Sequence, residues 1–182
     1  MRNVVRNKRR KNIIITIITI ACLLLGYKLG DTFVVGKAEV EGTSMVPTYH
    51  DMDEGIFSKV ADPKRNDIVI FMMGDTPIIK RLVAVEGDTI EARNGTIYLN
   101  GNKLDEPYIV EKWTNGGVIE NNPITLRKNE YFLLGDNRNV SHDSRAEGVF
   151  TKDQYIGTML FNTRLSPEST IQDQLLQLVF IL

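Results

Sequence analysis

Cysteine is nearly absent from this chain: its 182 residues include only Cys22, so no intrachain disulfide can form. Histidine is almost as scarce, and one cysteine with the separated His50 and His142 gives no metal-ligand spacing. Nothing in the sequence calls for a cofactor. Internal repeats and low-complexity linkers are missing too, and the length suits one compact domain with a short appendage. Acidic residues are missing from the first eleven positions, which hold Arg2, Arg6, Lys8, Arg9, Arg10 and Lys11. Because the whole chain carries a net charge of −1, residues 12–182 hold 16 basic against 23 acidic side chains, a net of −7. An acidic globular part repels phosphate backbones, so nucleic acid is not an expected partner. The basic cluster needs a different surface, and a lipid bilayer supplies one.

Charge is also missing from residues 13–27, IIITIITIACLLLGY. A helix over residues 12–30 would have roughly the 20 residues needed to cross a bilayer, with Lys28 near enough to the far end to snorkel. No small-x-small site follows the apolar run directly, so the segment reads as an uncleaved anchor rather than a removable leader. The expected organisation is a cytoplasmic basic segment at 1–11, a single-pass anchor at 12–30 and an extracytoplasmic domain at 31–168. An apolar tail at 169–182 ends in LLQLVFIL, too short to span and expected to pack on the domain.

Beyond residue 31 the pattern is one of strands and turns. Two Asn-Gly pairs, Asn94-Gly95 and Asn100-Gly101, stand between β-forming residues and mark tight hairpins. Further strands are expected over 33–40, 67–72, 78–85, 131–134 and 155–161. The expected fold class is mainly β: a coiled antiparallel sheet or partly closed barrel behind one N-terminal transmembrane helix.

Three constellations carry chemistry. In Glu41-Gly42-Thr43-Ser44-Met45-Val46-Pro47-Thr48, a glycine and a proline put Ser44 on a sharp turn at a strand end, where backbone amides near Gly42 and Ser44 could face an oxyanion. A serine in such a turn is also an ordinary turn residue. In 78–88, period two gives Lys80 the apolar neighbours Ile78, Leu82 and Ala84. Burial there would push a lysine toward neutrality and make it a general base, a part arginine cannot play, so Arg81 is set aside. The alternative is a solvated edge strand. The third, Gly135-Asp136-Asn137-Arg138-Asn139-Val140-Ser141-His142-Asp143-Ser144-Arg145, is either a solvated turn or a buried network in which Asp143 and Arg145 pair.

Together the three segments resemble the type I signal peptidase family. Its nucleophile motif, serine-methionine then x-Pro-Thr, stands as Ser44 to Thr48. Its Lys-Arg strand ending in Gly-Asp stands as Lys80 to Asp88, and its Gly-Asp-Asn-Arg loop as Gly135 to Arg145. The resemblance implies a membrane-bound serine endopeptidase that removes signal peptides from exported preproteins, cutting after small residues. It implies Ser44 as nucleophile, Lys80 as base, Ser141 orienting the Lys80 amine, and Asp143 with Arg145 holding the loop. Two positions depart from the family: Asn66 stands where a glycine is usual, and Gly42 where some members place an oxyanion-hole serine.

Rival readings are weaker. His142 beside Asp143 makes a poor triad, since neighbours on an extended chain point apart. A self-cleaving repressor would need a DNA-binding head in place of the anchor, and a membrane-tethered binding module would leave Ser44 and Lys80 incidental.

Overall fold

The computed structural model describes residue 12, residues 14–26 and residues 34–162. Residues 14–26 are helical, and their apolar side chains stand exposed, Leu23 at 69% and Ile15 at 61%. Thr16 and Thr19 donate their hydroxyls to the carbonyls of Asn12 and Ile15, 3.0 and 2.9 Å away, which hides their polarity within an apolar run. Among the described residues no helix is long and apolar enough to cross a membrane. The rest of the expected anchor and the tail at 169–182 lie outside the described residues.

Among the described residues are eleven strands: β1 Val35–Glu39, β2 Glu54–Ser58, β3 Ile68–Met73, β4 Thr76–Ala84, β5 Thr89–Arg93, β6 Thr96–Leu99, β7 Asn102–Lys103, β8 Ile124–Thr125, β9 Glu130–Leu134, β10 Phe150–Thr151 and β11 Tyr155–Asn162. They form a seven-stranded sheet in the order β1-β2-β11-β3-β4-β9-β10 and a four-stranded sheet in the order β7-β6-β5-β8. Every strand pairing is antiparallel. The expected partly closed barrel is corrected to two open sheets, because β1 and β10 end the larger sheet and no ladder joins them.

The hairpin signals act as their chemistry requires. Asn94 and Gly95 (φ 48° and 74°) join β5 to β6, and Asn100 and Gly101 (φ 52° and 79°) join β6 to β7. Both pairs sit in the left-handed region that a two-residue turn needs. Strand β2 was not anticipated. Its sequence, EGIFS, opens on a charge and a glycine, yet it pairs with both β1 and β11. A Cβ at Gly55 would meet Met159 Cε at 2.3 Å, a contact that flexible side chain can relieve by moving, and the Phe161 carbonyl oxygen at 3.1 Å.

Three apolar clusters fill the domain. Val40, Met45, Tyr49, Phe57, Ile70 and Met159 lie beneath the turn that follows β1. Val83, Ala84, Phe132 and Leu134 pack with Ile90, Ile97 and Trp113 and so join the two sheets. A bulge between Leu82 and Ala84 shifts the phase of β4, which turns Ala84 to the same cluster as Val83. The third cluster centres on Phe71, fully buried, with Tyr131, Phe150 and Tyr155 edge-on at 5.5, 5.9 and 5.4 Å. Phe71→Ala should therefore cost about 3–5 kcal/mol. In urea titrations of the detergent-solubilised full chain the midpoint should fall while the slope holds.

Candidate active site

The turn after β1 is anchored from below and gripped from the side. Met45 is fully buried and its carbonyl accepts the Tyr49 amide at 2.9 Å, so Ser44 is fixed just above the core. The Asn137 amide donates to the Ser44 carbonyl at 3.0 Å, and its side-chain nitrogen to the Thr43 carbonyl at 3.2 Å. Ser44 stays half-buried and opens on a cleft of about 380 Å³, lined by Glu39, Glu41, Met45, Ile78 and Lys80.

Lys80 sits in β4, its backbone paired opposite Val69 of β3, and it is only 5% exposed. Its Nζ lies 2.8 Å from Ser44 Oγ. Burial pushes the amine below the usual lysine range, opposed by the negative charge of Asp143. The arrangement joins a hydroxyl to an amine whose neutral, proton-accepting form burial makes more accessible than in a free lysine.

Asp143 is 1% exposed. Burial alone would push its carboxyl up, but Arg145 and the Gly135 amide hold it below the usual carboxylate range. Arg145 Nε donates to Oδ1 and Nη2 to Oδ2, both at 2.9 Å, while Gly135 N–H reaches Oδ2 at 3.0 Å. Nη2 also donates to the Arg138 carbonyl, with that of Ser141 at 3.3 Å, and Nη1 donates to the Asn115 carbonyl. Every guanidinium nitrogen thus has an acceptor and both carboxylate oxygens have donors, which a buried pair needs if it is not to destabilise the fold.

A second carboxylate ties the two strands of the site together. Asp136 accepts Arg81 Nε at 2.8 Å and Nη2 at 2.7 Å, and also the Thr48 hydroxyl. One carboxylate thereby links the residue after Lys80 to the turn that carries Ser44.

The family described as "Signal peptidase, peptidase S26" matches residues 10–163. This chain belongs to that family. Signal peptidase I S of Bacillus subtilis (strain 168) is 35% identical over 141 residues, 71% of this chain and 77% of that protein. Signal peptidase IB of Staphylococcus aureus (strain COL) is 33% identical over 171 residues, 84% and 90% of the two chains. A crystal structure of a signal peptidase I from Enterococcus faecalis V583 has 32% identity and a TM-score of 0.47, covering 54% of this chain and 97% of that one. The S26 membership makes this protein a serine endopeptidase.

The expected site residues divide into three groups. Ser44 and Lys80 meet directly, and Asp143 and Arg145 pair behind them. Ser141 Oγ is buried and finds no hydrogen-bond partner among the described residues, so the expected bond to Lys80 is not formed there. The hydroxyl lies near enough to Asp143 to favour its ionised form. Gly42, with φ 82°, donates its amide to Asp51 Oδ1 at 2.6 Å, which occupies one donor expected in the oxyanion region.

The Asn66 departure has a simple reason: its φ of 75° suits glycine or asparagine, and its carbonyl accepts Arg81 Nη1 at 3.0 Å. Sequence reasoning gave no role to Asp136, Glu106 or Tyr108. An arginine in an apolar strand was the available signal for Asp136, since such a charge needs a buried partner.

Asp143→Asn leaves the Arg145 guanidinium buried without its counter-charge and should destabilise the domain by about 3–5 kcal/mol. The wild-type pair stabilises fully above the unfolded carboxyl value of about 3.9 and loses that stability as pH falls through the lower folded value. The urea midpoint of wild type should therefore drop below about pH 4 more steeply than that of Asp143→Asn.

Proposed function

We propose that this chain is a membrane-anchored signal peptidase in which Ser44 attacks the scissile carbonyl and Lys80 takes its proton, releasing signal peptides from exported preproteins after small residues. The observation that carries this reading is the 2.8 Å contact between Lys80 Nζ and Ser44 Oγ, made by an amine that burial drives toward neutrality. Only a neutral amine can accept the hydroxyl proton, and a depressed pKa keeps it neutral nearer to physiological pH. The relatives' names, signal peptidase I S and signal peptidase IB, support preproteins as the substrate class. The Ser44 amide is the first oxyanion donor in this mechanism, with Gly42 engaged by Asp51. Asp143 and Arg145 hold the 135–145 loop against the dyad and Ser141 fills the space beside Asp143.

For the anchor, the supporting observation is a helix at 14–26 whose apolar side chains stand exposed among the described residues. Lipid covers such a surface at no hydrophobic cost, and the basic residues before it favour a cytoplasmic N-terminus with the domain outside. Protease added to intact protoplasts should digest the domain; digestion only after permeabilisation would refute that orientation.

Cleavage of a test preprotein in detergent examines the dyad. Ser44→Ala and Lys80→Arg should each lower kcat/KM by about 10³-fold or more while remaining folded. In wild type kcat/KM should rise with pH along a limb set by the depressed lysine, because protonation below that value removes the base. Near wild-type cleavage by Lys80→Arg, which stays protonated, would refute Lys80 as base.

A further inference from the structure

The loop after β7 reaches from the small sheet to Arg81, next to Lys80, and to Arg138 in the 135–145 loop. The Tyr108 ring lies over the Arg81 guanidinium, 3.8 Å from carbon to ring centre. Burial and the Glu106 charge push the Tyr108 hydroxyl pKa up, so it keeps its proton and donates a hydrogen bond to Glu106 Oε1 at 2.9 Å. Glu106 also receives both terminal nitrogens of Arg138. Arg138 in turn donates Nε to the Gly135 carbonyl at 3.0 Å. Gly135 is wedged so tightly that an added Cβ would lie 2.6 Å from the Ser44 carbonyl oxygen and 2.2 Å from Ser141 Oγ.

These contacts form two arms. One runs from Tyr108 through Arg81 and Asp136 to Thr48 on the Ser44 turn, with Lys80 the immediate neighbour of Arg81. The other runs from Glu106 through Arg138 to Gly135, which backs the Ser44 carbonyl. Neither Glu106 nor Tyr108 lines the cleft, which is built from 39–45 and 76–80.

We propose that Glu106 and Tyr108 are positioning residues that keep Lys80 Nζ within reach of Ser44 Oγ by holding the Arg81 and Arg138 clamps; this rests on the Ser44/Lys80 reading. The aromatic face covers one side of the Arg81 guanidinium, whose side chain is 11% exposed. Excluding water there strengthens both the cation–π contact and the Arg81–Asp136 pair. Loss of the ring would wet that pair and loosen the strand next to Lys80. A displacement of about 1 Å between reacting groups costs up to about 10²-fold in rate. Since the cleft walls are untouched, the loss should fall on kcat rather than KM.

The test is preprotein cleavage by the full chain in detergent, normalised to the folded fraction by circular dichroism, with Lys80→Ala run alongside. Tyr108→Leu should lower kcat by about 10- to 100-fold with KM within about twofold, and Tyr108→Phe, which keeps the ring, should recover most of it. Glu106→Gln keeps the shape and removes only the charge, so it examines the second arm even if the leucine variant fails to fold, and it should also lower kcat alone. Wild-type kcat in Glu106→Gln and Tyr108→Leu overturns the proposal, as does a loss confined to KM or an equal loss in the phenylalanine and leucine variants. Activity retained by Lys80→Ala refutes the dyad itself, and this inference falls with it; an inactive Lys80→Ala beside fully active Glu106 and Tyr108 variants refutes the positioning role alone.

Discussion

A lysine amine taken out of water and given a serine hydroxyl as its near neighbour is the constraint around which the rest of this domain is organised. Burying an ammonium is costly, and the amine has three ways to respond: find a carboxylate, reach solvent or lose its proton. Lys80 is 5% exposed, which closes the second. Asp143, the carboxylate whose charge opposes the effect of burial, already satisfies Arg145 through two 2.9 Å hydrogen bonds, so its attraction only moderates that effect. What burial favours is the neutral state. It is the state in which an amine can take a proton from Ser44.

Around this dyad the buried charges are matched one to one: Asp143 with Arg145, Asp136 with Arg81, and Glu106 with Arg138. The matching matters because any one partner left alone would cost several kcal/mol and change the field at Lys80. It also explains the choice of arginine. A planar fork can hold a carboxylate with two nitrogens and still reach carbonyls, as Arg145 does with Asn115 and Arg138. Surface pairs such as His142 with Glu147, both well exposed, contribute little by comparison.

The two sheets divide the work. The larger supplies the strand that carries Lys80 and the apolar floor under the Ser44 turn, so the dyad rests on rigid elements. The smaller packs Ile90, Ile97 and Leu99 against β4 and β9 through Trp113, and sends out the loop with Glu106 and Tyr108. Trp113 serves both roles: it fills the junction, and the Arg138 and Arg145 guanidinium carbons lie 5.1 and 5.3 Å from its ring. The open edges of the larger sheet leave the cleft accessible beside β1.

Sequence alone determined the features set by short-range chemistry. Two Asn-Gly pairs specified hairpins because few other residues take positive φ twice in succession, and the alternation in 78–85 exposed Lys80 as a charge on an apolar face. Motif order brought Ser44, Lys80, Asp143 and Arg145 forward as candidates, and the fold sets the first two 2.8 Å apart and pairs the last two. Strand β2 escaped because its identity comes from neighbours on both sides, β1 and β11, rather than from its own five residues. The partly closed barrel failed for a similar reason: closure depends on whether distant edges meet, which no local pattern encodes. Asp136, Glu106 and Tyr108 were legible only as polar loop residues. Their meaning lies in partners 55 residues away for Asp136 and 32 for Glu106, and in the stacking of Tyr108 on a guanidinium from another sheet. Turn type and periodicity follow from each residue and its immediate neighbours, whereas charge pairing and desolvation depend on which distant segments fold together, and that only the tertiary structure decided.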